Sequence, residues 1–387
     1  MPEELAYPFP AKCPFELPDE FARLRSEAPV APVLLPTGNT GWLVTRNADI
    51  RTVLSDERFS RLPGRAAAMR QQNSGFDFGM SITDPSEHAR WRARITRVLN
   101  VRHAEALRPA IGTIVEDLLT EIDDRPSPVD IMAALAFPLP LRVLLHLFAV
   151  PDDLRDGFHR WAALLRTAGR SMRGLGAAMG MLHETIVELV ARRTGGILGA
   201  CTAVDPDLTD QELVTTGMLL AVAGYETVAT QLGNGLLALF LHPGELRRLA
   251  TGTVPIATAV EEILRYAQSG TGFAGTTYTT TDVVLADTTI PAGAPVLISI
   301  DSAGRDEAHV ADPESFDLSR GAAGNHLTFG YGHHFCLGAA LARTELQECL
   351  GRLLARHPTL SCATDPRRIP LAATMFTRYP AELPVNW

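Results

Sequence analysis

Apolar positions recur every three to four residues over 89–99, 108–122, 139–148, 179–193, 210–241, 256–267 and 338–357. That spacing turns one face of an α-helix toward a core. Alternation replaces it in two places. Residues 30–36 and 41–46 flank Thr37-Gly38-Asn39-Thr40, which predicts a β-hairpin with a polar turn. A second hairpin is predicted where DVVLADTTI meets PAGAPVLISI, turning at Pro291-Ala292-Gly293. The expected fold class is mainly α with small β-sheets. No repeat, low-complexity tract or long linker interrupts the pattern, so residues 1–387 are expected to form a single domain.

The longest periodic segment has a defined start. Thr209-Asp210-Gln211-Glu212 has capping-box form, in which Thr209 accepts from the Glu212 N–H and Glu212 accepts in return. The segment ends at His242-Pro243-Gly244. About 30 residues at 1.5 Å each make a rod of about 45 Å, a natural wall for a cofactor pocket. Leu213 to Leu241 is also apolar enough to suggest a membrane span. Glu226 lies near its centre, however, with Thr215, Thr216, Gln231 and Asn234 around it. A central carboxylate costs about 3 kcal/mol in lipid, so a buried core helix is expected and no membrane partner.

Composition narrows the function class. Apolar residues make up 46% of 387 residues, enough for a large core that can enclose a cofactor. A net charge of −9 argues against nucleic acid or an anionic membrane as the main partner. The five cysteines, Cys13, Cys201, Cys336, Cys349 and Cys362, are scattered and never form a C-x-x-C pair. That pattern suits a reducing cytoplasm and gives neither a disulfide framework nor a zinc cluster. The first residues, charged and interrupted by proline, predict neither a secretory signal nor an anchor.

The chemistry concentrates in LTFGYGHHFCLGAALARTEL. Cys336 stands just before a strong helical pattern, and a helix N-terminus lowers a thiol pKa. Phe329 offers an apolar wall. Glycines at Gly330, Gly332 and Gly338 allow the backbone to pass close to a flat macrocycle. Cys336 is therefore read as a thiolate ligand to iron.

FGYGHHFCLG resembles the F-G-x-G-x-H-x-C-x-G haem loop of the cytochrome P450 family, and the likeness extends over essentially the whole chain, nearest to the soluble bacterial members. The resemblance implies haem b (iron protoporphyrin IX) with Cys336 as the metal ligand, and Phe329, Gly330, His334 and Gly338 among the residues that hold the cofactor. In DPSEHARWRARI, His88 and Arg92 match the family's H-x-x-x-R propionate clamp. An arginine usually found five residues before the aspartate that opens the later hairpin is missing, because Thr277 stands there before Asp282.

Glu262 and Arg265 in AVEEILRY lie three apart on one helical face and can pair. The resemblance implies that this pair is buried, joined by Arg320, and braces the cysteine loop. Ala223-Gly224-Tyr225-Glu226-Thr227 resembles the family's A-G-x-[DE]-T motif. A glycine, and a threonine that bonds back to its own helix, weaken the local hydrogen-bond ladder. Glu226 and Thr227 are the expected catalytic residues, the first relaying protons and the second holding bound oxygen and a water.

The resemblance further places substrate contacts in 66–81, around 161–181, on the long helix, in 269–276 and near Met375-Phe376. The implied activity is monooxygenation of a hydrophobic natural product, with electrons from NAD(P)H through ferredoxin and ferredoxin reductase. Oxidative coupling or ring closure without oxygen insertion is the alternative, and a non-enzymatic haem sensor or carrier the third reading. Arg90, Arg94, Arg97 and Arg102 cluster as a docking patch for an acidic ferredoxin. A cytoplasmic monomer is expected.

Overall fold

The described residues before 129 form β1 (Leu5–Ala6), α1 (Asp19–Glu27), β2 (Val30–Leu34), β3 (Thr40–Val44), α2 (Asn47–Ser55), β4 (Phe59–Ser60), α3 (Pro85–Val98) and α4 (Val101–Asp123). The middle of the chain holds β5 (Val129–Asp130), α5 (Pro138–Leu147), α6 (Asp152–Ala168), α7 (Met172–Ala191), α8 (Gly196–Val204), α9 (Asp210–Leu241), α10 (Pro243–Ala250) and α11 (Ile256–Tyr266). Then come β6 (Thr277–Thr279), β7 (Val283–Leu285), β8 (Thr288–Ile290), β9 (Pro295–Ile298), α12 (Ile300–Ala303), α13 (Ala339–Arg356), β10 (Ser361–Cys362), β11 (Leu371–Ala373), β12 (Arg378–Pro380) and β13 (Pro384–Asn386). The computed structural model describes residues 5–10, 15–61, 85–168, 171–268, 270, 276–320, 325–374 and 377–387. The expected substrate segments at 66–81 and Met375-Phe376, and all of 269–276 except 270 and 276, lie outside the described residues. The described chain is mainly helical with small sheets, as its pattern predicts, and it divides into two compact units.

The first unit comprises Met1–Gly75 and Glu261–Cys336. Its sheet has the order β1-β2-β3-β9-β6-β4. The predicted hairpin is β2–β3, in register from Val30↔Val44 to Leu34↔Thr40. Gly38 turns at φ +80°, in the left-handed region that glycine enters at little cost. Alternation buries Val30, Val44, Val296 and Ile298 against Ile50 and Val53 of α2.

The second predicted hairpin needs correction. Its turn lies at Ala286-Asp287, both with positive φ (+45° and +60°), between β7 and β8, which pair as Val283↔Ile290 and Leu285↔Thr288. Two such residues match the right-handed twist of the flanking strands. Pro291-Ala292-Gly293 instead carries the chain out of that hairpin to β9, which pairs with β3 and β6. A proline-glycine cluster is the louder turn signal in the sequence, but the quieter one closes the hairpin.

The second unit comprises Phe76–Val260 and Leu337–Trp387. At its centre runs α9, 32 residues with the predicted capping box in place: Glu212 N–H donates to Thr209 Oγ1 (3.2 Å) and Thr209 N–H to Glu212 Oε2 (3.0 Å). This helix is long and apolar enough to cross a membrane, yet 72% of its most apolar window is buried among its neighbours. It packs on α5, α7, α13 and β12.

Helix α4 begins at Val101, seven residues before the position its periodicity indicates, and runs through Pro109. Asn100 caps it by accepting from His103 N–H (3.0 Å). A good cap and a buried face carry the helix across a residue that removes one hydrogen bond. Sequence periodicity also passes over α1, α2, α6, α8 and α10. All except α6 are short.

Glu345 in α13 is 3% exposed, its Oε2 has no hydrogen-bond partner among the described residues, and burial pushes its carboxyl up to about 8. Cys349, one turn on, is raised by burial and then by Glu345. The folded-state value lies above the ordinary 4.5, so the fold favours the protonated form. Stability is therefore full below about pH 4.5 and is lost progressively as pH rises toward 8. Glu345→Gln should match the wild type at acid pH and exceed it at alkaline pH, by on the order of 4 kcal/mol. Thermal midpoints recorded across that range check this, and parallel curves for the two proteins would refute it.

Candidate active site

A haem-thiolate centre requires a cysteine presented outward from a rigid loop, apolar rings beside it, and cations for two propionates. Among the described cysteines, Cys201 and Cys349 are buried, Cys362 is half-buried, and Cys336 is exposed. Its loop is fixed by backbone bonds: Gly330 N–H to Leu327 O (2.8 Å), Phe335 N–H to Gly332 O (3.1 Å) and Cys336 N–H to Phe329 O (2.8 Å). A 3₁₀ turn, Gly332–His334, rises just before the cysteine, and α13 starts three residues after it with Gly338 as its cap. Gly330 and Gly332 have φ of +74° and +67°.

The structure gives one of these glycines a task beyond the expected one. A Cβ at Gly332 would lie 2.7 Å from Leu54 O and 3.1 Å from Ser55 Cα. Gly332 thus lets the loop close onto the end of α2. Phe329 and Phe335 lie with ring centroids 6.5 Å apart, and Phe335 is exposed. An outward thiol beside exposed aromatic surface fits the donor set that a haem requires.

The loop begins on a firm base. Thr328 Oγ1 donates to Leu264 O (2.8 Å), and His326 Nε2 lies 3.2 Å from Glu261 Oε2, so both contacts join the loop to α11. Further along α11, Arg265 grips Glu262 with Nε and Nη2, each at 2.7 Å. Its remaining donors reach Gly304 O (2.7 Å), Pro313 O (2.8 Å) and Ser315 O (2.9 Å). Arg320 Nε adds a bond to Glu262 Oε1 (3.3 Å). Glu262 and Arg265 are 0% and 2% exposed, and Arg320 is the outer member. The three residues singled out by spacing and resemblance are in contact, and their bonds tie α11 to the chain that leads into the cysteine loop.

In the second unit, His88 is buried on α3 and Arg92 is half-buried one turn later. Trp91 between them donates Nε1–H to Thr216 Oγ1 (3.0 Å), which fixes α3 against α9. Arg94 is held by Asp205 (2.5 Å) and Glu212 (3.1 Å), so it is a strut between helices, whereas Arg90, Arg97 and Arg102 are exposed. His334 belongs to the first unit and is half-buried.

Helix α9 is buried on nearly all sides. The exception is a strip through Leu219, Leu220, Ala223, Gly224 and Thr227, spaced at one helical face and left half-open. Thr227 Oγ1 donates to Ala223 O at 2.5 Å, the back-bond its position predicts. Glu226, 6% exposed, points elsewhere. Its Oε1 accepts from Thr374 Oγ1 (2.5 Å) and from Thr377 Oγ1, the residues that directly follow β11 and directly precede β12. Burial raises the Tyr379 phenol, and the Glu226 charge adds to it. Sequence reasoning does not find these threonines, since nothing local links positions 226 and 374. Asn234 makes a second tie to the same hairpin, Nδ2–H to Arg378 O at 2.9 Å.

The family model described as cytochrome P450 matches residues 255–385. Nocardicin C N-oxygenase of Nocardia uniformis subsp. tsuyamanensis is 38% identical, covering 99% of this chain and 98% of that protein. Mycinamicin IV hydroxylase/epoxidase of Micromonospora griseorubida is 36% identical over 100% and 99%. Among solved structures, the mixed-function P450 MycG is similar at TM-score 0.91 and 35% identity, covering 100% of both chains. SgvP, a proposed thioether synthase involved in the tailoring step of griseoviridin, is similar at TM-score 0.87 and 37% identity, again over 100% of both.

Proposed function

Because this chain belongs to the cytochrome P450 family and is a haem-dependent monooxygenase, we propose that it inserts one oxygen atom from O2 into a hydrophobic natural product, with residues 1–387 acting as one domain. Electrons come from NAD(P)H through a ferredoxin reductase and a ferredoxin, and the enzyme works as a cytoplasmic monomer. The observation that carries this reading is the half-open strip on α9 with the Thr227 hydroxyl on it. A haem carrier has no use for a hydroxyl there, whereas an oxygenase needs one to hold a proton donor.

Bound haem supplies oxygen activation, and a thiolate ligand favours O–O cleavage. Cys336 would donate that thiolate, from a position three residues ahead of the α13 N-terminus. His88, Arg92 and His334 would neutralise its propionates, and Phe329, Gly330 and Gly338 would hold the ring. Thr227, its own hydrogen engaged by Ala223 O, would use an oxygen lone pair to accept from a water that carries a proton. Glu226 is anchored by two hydroxyls, so it passes a proton only by exchanging one of those bonds. Exposed Arg90, Arg97 and Arg102 make the docking face for an acidic ferredoxin, Arg94 bracing it from behind.

Similarity to SgvP supports a second reading, oxidative coupling or ring closure on the same haem. Product mass under labelled dioxygen separates the two: gain of one labelled oxygen, or loss of two hydrogens. In the same assay Thr227→Ala should lower product formed per NAD(P)H roughly tenfold, with peroxide released instead. Unchanged coupling would remove Thr227 from the proton path.

A further inference from the structure

The gap at Thr277 has a candidate to fill it. Thr277 is buried in β6, its Oγ1 3.4 Å from Val296 O, and it carries no charge. On the other side of β6 lies β4, antiparallel, in register as Phe59↔Thr279 and Ser60↔Tyr278. Arg61 follows directly on β4, one position past the Ser60↔Tyr278 pair, where the chain bends beside the Thr277 end of β6. Residues one or two positions off a cross-strand pair stay within reach of a long side chain on the neighbouring strand. A long side chain at 61 can therefore serve the space that one at 277 would serve.

Arg61 also lacks what every comparable arginine has. Buried Arg25 pairs with Glu307, Arg265 with Glu262, and Arg305 donates to Pro313 O and Phe15 O over the ring of Tyr266. Arg61 is half-buried, yet no carboxylate, carbonyl or ring among the described residues accepts from it. Withdrawal from water alone pushes its guanidinium down to about 10. A desolvated cation without a counter-charge is unfavourable on its own and calls for an anion from outside the chain.

We propose that Arg61 is the propionate-binding cation of this chain, reaching from β4 into the place that Thr277 leaves without charge. The proposal rests on the haem reading above. Its family position is taken by a small residue, and the charge has moved to the facing strand.

Haem loss from the ferric holoenzyme to excess apomyoglobin tests it without recourse to turnover. Arg61→Ala should release haem roughly tenfold to a hundredfold faster, the loss of one charge-assisted bond. Adding Thr277→Arg to Arg61→Ala should restore retention to within about threefold of wild type, because both positions address one anion. Arg61→Lys, which keeps the charge and disturbs the fold least, should shift the propionate-bending band in resonance Raman spectra. Wild-type retention in Arg61→Ala, or an unshifted band in Arg61→Lys, would overturn the proposal. The red-shifted band of the reduced carbonyl complex separates the two ideas. Its presence with unaltered haem retention sinks Arg61 alone, and its absence from the wild type sinks the haem reading.

Discussion

Cys336→Ser is expected to abolish the red-shifted absorbance of the reduced carbonyl complex and to reduce turnover to background. A serine hydroxyl stays protonated where a thiol near a helix N-terminus ionises, so the substitution removes the anionic ligand itself. The fold should survive. The Cys336 side chain is exposed, and the bonds that shape its loop run through backbone atoms, Cys336 N–H to Phe329 O and Gly330 N–H to Leu327 O. Loss of the band with retained thermal stability is the expected pair of results. A persistent band would show that another residue ligates the iron.

Arg265→Met carries the largest expected cost in stability, about 3–5 kcal/mol. The side chain donates five hydrogen bonds, two to Glu262 and three to the carbonyls of Gly304, Pro313 and Ser315. Without it, Glu262 keeps the Asp317 N–H (3.0 Å) and Arg320 (3.3 Å) but is a buried carboxylate deprived of its bidentate partner. Lysine should rescue little, because a point charge cannot serve carboxylate and carbonyls at once. Urea unfolding of the holoenzyme measures the effect, and a cost below about 1 kcal/mol, the range of surface pairs, would show that the cluster does not brace the loop.

Features written in consecutive residues are legible in the sequence. The cysteine loop, the capping box at Thr209 and the Glu262–Arg265 pair depend on spacings of three to ten positions, which backbone geometry converts directly into proximity. Helix α9 is legible for the same reason, since its apolar composition is continuous. What stays hidden depends on distant partners. Thr374 and Thr377 meet Glu226 across 148 and 151 positions, and Arg61 is brought to the Thr277 end of β6 only by the pairing of β4 with that strand. The role of Gly332 is not readable from its own loop because its neighbour, the Leu54 carbonyl, belongs to another element. The Ala286-Asp287 turn gives little sign of itself because neither residue is a glycine.

The anchoring of Glu226 by Thr374 and Thr377 bears on how such an enzyme can be re-engineered. Residues 374 and 377 bracket, in sequence, the pair Met375-Phe376 that family resemblance assigns to substrate contact. On the proposed reading, selectivity and proton supply would share one short segment. A hairpin graft from a relative would bring new substrate preference only if its flanking hydroxyls came with it. Random variation there would yield, alongside altered specificity, a harvest of variants that bind well and waste their reductant.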